Sequence, residues 1–348
     1  MGVDSLAGDA IDRLAADEGF TGVIRIDIGE RTIERGFGLA NRALGIANTP
    51  ETIFATASGT KGFTALVVMS MVEQGALALD TAARAVLGRD LPLIDERVTV
   101  EHLLTHRSGI GDYLDETVVS VDDYVLTVPA HELVTTEQYL RVLDGHPMKH
   151  APGECFDYCN GGFVVLALIA ERVSGVPFHD LVEQRICRPA GMVDTAFLRS
   201  DELPARVALG YLSEEGLRTN VFHLPVRGNG DGGIYTTAAD MVSFWWALSA
   251  GRIVTPSTWE LMTTATTRDA SDSLHYGLGF WLSPDGDFVS VHGFDAGVGF
   301  VSARRRDGYC TYTVLGNKSR GAWPVSEGLV ELTEQLAEQL AEKPAGGH

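Results

Sequence analysis

The sequence is short of positive charge, of cysteine and of long apolar runs, and each shortage excludes something. Lysine and arginine together number 27 against 47 acidic residues, a formal net charge of -20, with no basic block anywhere. Phosphate backbones and anionic lipid surfaces would be repelled by such a chain, so neither nucleic acid nor a membrane surface is expected as a partner. Cys155, Cys159, Cys187 and Cys310 form no CxxC pair and no four-ligand zinc spacing. Four cysteines in 348 residues do not read as a disulfide framework, and mostly buried free thiols are expected.

No apolar run approaches the roughly 18 residues of a membrane span. The opening MGVDSLAGDAIDRLAADEGF has neither a basic stretch nor a continuous apolar one, so the expected address is cytoplasmic. Gly-x-Ser-x-Gly is missing, which removes the α/β-hydrolase elbow as a serine site. The glycines of RGNGDGG, 227–233, follow no clear strand of a βαβ unit, so no phosphate loop is expected there. Internal repeats, low-complexity tracts and Gly/Ser linkers are also lacking, which argues against a string of modules.

What remains is a chain of ordinary globular composition, 45% hydrophobic with mean hydropathy +0.06, long enough to bury a sizeable core. Residues 4–17 carry apolar positions at Leu6, Ile11 and Leu14 and predict a short helix. FTGVIRIDIGERTIERGFG alternates Ile24, Ile26 and Ile28 against Arg25 and Asp27 and breaks at Gly29-Glu30, a half-buried hairpin. KGFTALVVMSMVEQG is apolar all round, the mark of a buried helix. From about 80 to 215 helices and loops dominate, among them VEHLLTH, TEQYLRVL, GGFVVLALIAERVSG and FHDLVEQRIC.

Past 216 strands return in LHYGLGFWLS, FVSVHGF, VGFVSARR and YCTYTVLG. The chain closes on a helix with Leu329, Leu332, Leu336 and Leu340 in one stripe. The expected class is α/β of the α+β type: an antiparallel sheet built from both chain ends and flanked by helices, with an inserted, mostly helical lobe. Residues 1–80 and 216–340 would form one discontinuous lobe, 81–215 the helical one, and 341–348 a loose tail. A cleft between lobes is the natural pocket.

Three segments could carry chemistry. In FATASGTKGF, Ser58 and Lys61 stand at i and i+3, on one helical face. A serine is a weak nucleophile until a neighbour takes its proton, and a lysine can take it only where desolvation or a nearby cation keeps it partly neutral. Small, apolar Ala55, Ala57, Gly59 and Phe63 would permit that desolvation, but the same spacing also fits two polar residues sharing a helix. In PGECFDYCNGGF, Tyr158 and Asn160 point to one side of an extended segment ahead of a helix. They either move protons, if a lysine cation lowers the tyrosine pKa, and hold a substrate carbonyl, or simply cap that helix. VSVHGFDAGVGF sets Gly293, Gly297 and Gly299 in a strand-like stretch, either a bulged hairpin or an edge strand aiming N–H groups at an oxyanion.

Other polar residues invite blander readings. His102 and His106, in HxxxH, have helical zinc-pair spacing. The glutamate, Glu101, precedes the first histidine and no third ligand follows, so two hydrogen-bonded helix histidines are expected. Asp231 and Asp295 could face the cleft, although their contexts read as turns.

Taken in order, these segments resemble the serine β-lactamase and penicillin-binding-protein superfamily, on the side of class C β-lactamases, D-alanyl-D-alanine carboxypeptidases and family VIII esterases. SGTK and YCN carry the resemblance, together with HLLTHRSGI at 102–110 and GDGGIYTTAADM at 230–241, from about Phe20 to Leu336. It implies Ser58 as the acylated nucleophile, Lys61 as its base or electrostatic partner, Tyr158 in proton transfer to the leaving group, and Asn160 binding substrate and Lys61. The third box, usually Lys-Thr-Gly or His-x-Gly, departs from the pattern. Either Val291-His292-Gly293 fills it, with an aliphatic residue in the cation's place, or His292 leads and Phe294 replaces the glycine. The first register is preferred because Gly297 then falls where a second glycine is common.

The resemblance then puts the N–H groups of Ser58 and Phe294 in an oxyanion hole. It leaves His292, Gly293 and Phe294 as substrate-binding residues and removes the usual grip on a substrate carboxylate. The expected function is a serine hydrolase needing neither metal nor cofactor, an esterase or small-amide hydrolase acting on a small ester, amide or lactam. A β-lactamase, a D-alanyl-D-alanine carboxypeptidase or D-aminopeptidase-type peptidase, and a non-hydrolytic binding module are the alternatives.

Overall fold

Alternation fixes the sheet. A computed structural model describes residues 3–121, 123–268 and 274–341. In it β1 (Gly22–Ile28) and β2 (Arg31–Phe37) form the expected hairpin, turning at Gly29 with φ 58°, a left-handed conformation that glycine adopts freely. Three short strands follow much later, β3 (Thr267–Arg268), β4 (His275–Tyr276) and β5 (Trp281–Leu282). Three long ones close the set: β6 (Phe288–Asp295), β7 (Val298–Arg305) and β8 (Cys310–Gly316). Together they make one antiparallel sheet in the order β2-β1-β8-β7-β6-β5-β4-β3. The first hairpin therefore pairs with the last strand, Ile24 opposite Val314, and the sheet is built from both ends of the chain.

Each face of the sheet carries its own core. On one face Ile24, Ile26, Ile28, Val301, Ala303 and Val314 pack against α1 (Val3–Asp17) and α6 (Ala322–Ala341), through Ala7, Ile11, Val325, Leu329 and Leu336. Leu332 is partly buried there, while the side chains of Leu6 and Leu340, and the tail from 342, lie outside the described residues. On the other face Val23, Val289, Val291, Phe300 and Leu315 meet the larger core formed with α2 (Thr60–Glu73), α4 (Asn160–Ser174) and α5 (Ala238–Ser249). Residues 60–71 of α2 are all buried, as an all-round apolar helix requires. No single helix among the described residues is long and apolar enough to cross a membrane.

Two local expectations need correction. The helix predicted around VEHLLTH is α3, five residues from Val100 to Leu104, so His102 and His106 are not a helical pair. His102 closes a capping box with Thr99, and His106 lies beyond the helix in a left-handed conformation, φ 53°. Among the described residues no group of three or more His, Cys, Asp or Glu is placed to hold a metal. Cys159, Cys187 and Cys310 are buried free thiols, whereas Cys155 is exposed.

Strand β6 reaches the rest of the molecule through a glycine. A Cβ on Gly293 would lie 1.8 Å from the carbonyl oxygen of Thr56 and 3.0 Å from the nitrogen of Gly59. Only a residue without a side chain lets β6 touch the turn at 57–59. Gly293→Ala should therefore push strand and turn apart, lowering stability by about 3 kcal/mol in urea denaturation; an unchanged midpoint would show that the contact is slack.

Candidate active site

Ser58 leaves a strand and enters a helix within five residues. Phe54–Ala55 pairs antiparallel with Tyr235–Thr236, and a 3-10 turn at Ala57–Gly59 then leads into α2. Ala57, with φ 44°, holds a left-handed conformation that costs a residue with a side chain roughly 1–3 kcal/mol. Lys61 follows three residues on, in the first turn of α2, the spacing that puts its side chain on the same face as that of Ser58. The amine Nζ lies 2.8 Å from Ser58 Oγ, and Lys61 is buried while Ser58 is half-buried at a pocket wall.

Two further acceptors fix the amine. Nζ donates to Asn160 Oδ1 at 2.8 Å and to the carbonyl oxygen of Asp231 at 2.9 Å. The Asn160 amide cannot flip, because its Nδ2 donates to the Leu114 carbonyl and to Glu116 Oε1, both at 2.9 Å. Asn160 opens α4, whose N-terminal Cys159 supplies no side-chain cap. Asp112 caps it from across the fold, accepting from the backbone N–H groups of Asn160 and Gly161. Burial raises the Asp112 carboxyl to about 6 despite those donors.

The RGNGDGG glycines also have a structural task. A Cβ on Gly230 would meet the Phe163 carbonyl oxygen at 2.2 Å, and one on Gly228 would meet that of Gly232 at 2.2 Å. The loop is thus pressed against α4 and against itself, which carries the Asp231 carbonyl to Lys61. Asp231 sits in the turn closed by Asn229 and Gly232, as its context suggests, and lines the pocket. It is buried, and Tyr113 donates a hydrogen bond to its carboxylate.

Electrostatics divide the protons. Burial pulls Lys61 below the ordinary lysine value, against the opposing pull of Asp231, Glu116 and Asp112. Burial raises Tyr158 well above an ordinary phenol, helped by Glu116 and opposed by its hydrogen bond with Ser58. A lysine cation lowering the tyrosine pKa is therefore not what this site provides. Tyr158 rests as a neutral phenol, with the Lys61 amine 4.9 Å from its ring centre. The His106 ring lies 4.3 Å from that of Tyr158, and its Nδ1 accepts from the Cys159 backbone N–H at 3.0 Å. Desolvation, reinforced by Lys61, keeps His106 neutral. The HLLTHRSGI segment thus buttresses the tyrosine.

The third box sorts by strand parity. Val291 and Gly293 point to the α2 face, where Val291 packs against Gly62. His292 points to the opposite face, bonded to Ser290 Oγ at 2.8 Å and flanked by Trp281 and Trp323. Burial lowers it to about 3, so it is uncharged, and it does not line the pocket. His292 is therefore not positioned to bind substrate, and no side chain from this box supplies a cation. Phe294 does line the pocket, next to the Ser58 turn, and so does Asp295.

Sequence reading missed Asp112, Tyr113 and Glu116, and did not foresee the burial of Asp231. The first three follow THRSG directly, but their partners stand 44 to 118 positions away, so no local spacing announces them. For Asp231 a signal existed: four glycines around one acid mark a loop under close backbone contact.

Comparison with known proteins finds matches over nearly the whole chain. The Beta-lactamase family matches residues 9–327. A penicillin-binding protein of Bacillus halodurans has a solved structure that superposes with a TM-score of 0.86 at 36% identity, over 92% of this chain and 99% of that one. PbpX of Bacillus subtilis, named for the penicillin-binding proteins, is 29% identical over 87% of this chain and 72% of its own. Esterase EstB of Burkholderia gladioli is 34% identical over 53% of this chain and 47% of its own. With an antiparallel sheet flanked by helices and this breadth of match, the chain belongs to the Beta-lactamase family and is a serine hydrolase of that fold.

Proposed function

We propose that the protein is a carboxylesterase or small-amide hydrolase working through an acyl-enzyme on Ser58. The observation that carries this reading is the set of contacts at Lys61 Nζ. A neutral amine has two hydrogens and one lone pair. Asn160 Oδ1 and the Asp231 carbonyl can only accept, so they take both hydrogens and leave the lone pair facing Ser58 Oγ. Lys61 is thereby oriented as a base, and its burial favours the neutral form.

The steps follow from that arrangement. Ser58 Oγ attacks the carbonyl carbon as its proton passes to Lys61, and the oxyanion accepts from the backbone N–H groups of Ser58 and Phe294. Collapse breaks the bond to the leaving group, which takes a proton from the Tyr158 phenol. The new Lys61 ammonium offsets the charge left on that phenol, and its proton restores it. Water then attacks the acyl-enzyme by the same route in reverse, releasing the acid and regenerating Ser58. An ester or amide plus one water thus gives an acid plus an alcohol or amine, with no metal or redox partner in the balance. Acylation by a β-lactam is the second reading, favoured by the penicillin-binding proteins among the relatives.

Two predictions test this reading. Ser58→Ala should lower kcat/KM on p-nitrophenyl esters by at least ~10³-fold with Tm nearly unchanged, and should abolish the mass increase that a fluorophosphonate adds to the intact protein. Retained turnover would refute the nucleophile. The second concerns pH. Protonated Lys61 cannot act as a base, so kcat/KM should rise with pH along a limb centred below the ordinary lysine value. The Asp231 carboxylate favours the ammonium, so Asp231→Asn should move that limb to lower pH; a shift upward would exclude Lys61 as the titrating base.

A further inference from the structure

The pocket beside Ser58 has an unusual balance of charge. It occupies about 880 Å³ including its open mouth, and its walls include Tyr113, Tyr124, Tyr139, Leu126 and Val226. No lysine or arginine is among the lining residues, but Glu116, Asp231 and Asp295 are. Lys61 lies behind Ser58, occupied by three hydrogen bonds. The third box sends Val291 into the core and His292 to the far face of the sheet.

The three carboxylates are not equivalent. Asp231 accepts from Tyr113, and Glu116 accepts from Asn160 Nδ2. Among the described residues Asp295 accepts only from the backbone N–H of the next residue, Ala296, at 2.8 Å on one oxygen. Strand parity places its side chain on the same face as Gly293, toward the Ser58 turn, immediately after Phe294. It is half-buried and lines the pocket. Poor hydration, with Glu116 and Asp231 opposing its charge, raises its carboxyl to about 7. Tyr124 Oη, Ser200 Oγ and His223 Nδ1, buried atoms of residues that line the same pocket, make no hydrogen bond among the described residues. A half-buried carboxylate with no side-chain partner among the described residues, in an aromatic pocket that also holds unsatisfied polar atoms, suits a cation with N–H donors to share.

We propose that Asp295 is a specificity residue that selects substrates carrying a primary ammonium group within a few atoms of the scissile carbonyl, with Glu116 and Asp231 excluding substrates that carry a carboxylate there. This rests on the hydrolase reading of Ser58. An amino-acyl ester or amide would place its carbonyl against Ser58 and its ammonium against Asp295, while aromatic faces cover the rest.

The test uses three p-nitrophenyl esters of matched length, corrected for spontaneous hydrolysis: 3-aminopropionate, butyrate and hemisuccinate. At pH 8 the wild type should favour the ammonium ester over butyrate at least tenfold in kcat/KM, and butyrate over hemisuccinate. In Asp295→Asn the ammonium preference should fall to within threefold. A wild-type ratio near one, or a tenfold ratio surviving in Asp295→Asn, would overturn the proposal. A binding arm is independent of turnover: benzylammonium should bind the wild type at least tenfold more tightly than benzyl alcohol, and Asp295→Asn should remove the difference. If no ester turns over and fluorophosphonate adds no mass at Ser58, the hydrolase reading fails, and the binding arm alone decides for or against cation recognition.

Discussion

One buried amine ties this molecule together. Lys61 reaches Ser58 on its own helix, Asn160 on α4 and the backbone at Asp231, so three segments separated by 99 and 170 positions meet on a single nitrogen. Taking an ammonium out of water is expensive, so burial pulls Lys61 toward its neutral amine even though acceptors and carboxylates around it oppose that pull. The neighbouring details serve that nitrogen. Glycines press a loop close enough to offer a carbonyl, Asp112 caps α4 so that Asn160 is held, and Glu116 fixes which end of the Asn160 amide faces inward.

The sheet was legible because its signal is local. Alternation at Ile24, Ile26 and Ile28 defines a hairpin without knowledge of anything else, and all-round apolar character marks α2 as a core helix. Ser58, Lys61, Tyr158 and Asn160 were legible for a related reason, since each pair falls within one short segment, and the structure brings the four together. Of the carboxylates around them, Asp112 and Glu116 were not. Both sit in a polar context shared by any surface turn, and only tertiary contact reveals their partners, whereas Asp231 and Asp295, readable as turn residues that could face the cleft, do line it. His292 is the instructive failure. Period-two alternation was already visible in VSVHGFDAG, and a glycine needed at 293 for backbone contact places 292 on the opposite face. Applied to this strand, that rule would have sent the imidazole away from the pocket before any coordinates were known.

Proton placement was misjudged for a different reason. A lysine beside a tyrosine suggests a lowered phenol pKa when only the pair is considered. Burial of the phenol, invisible at the level of motif and reinforced by nearby carboxylates, reverses the sign. The strong acidity of the chain is usually an argument about solubility and partners. Inside the site it becomes an argument about which proton moves first.

The hairpin at the start of the chain pairs with a strand that begins at Cys310. Until that strand is made, β1 has an open edge on the side where β8 belongs, with buried-type isoleucines exposed across its face. Ser58 and Lys61 leave the ribosome early, yet the strand that braces their turn arrives some 230 residues later. Chemistry at Ser58 is thus tied to nearly complete synthesis: a truncated chain holds the reactive pair but not the β6 backbone that would help bind an oxyanion. Long-range pairing of this kind folds slowly and leaves unpaired edges open to association meanwhile.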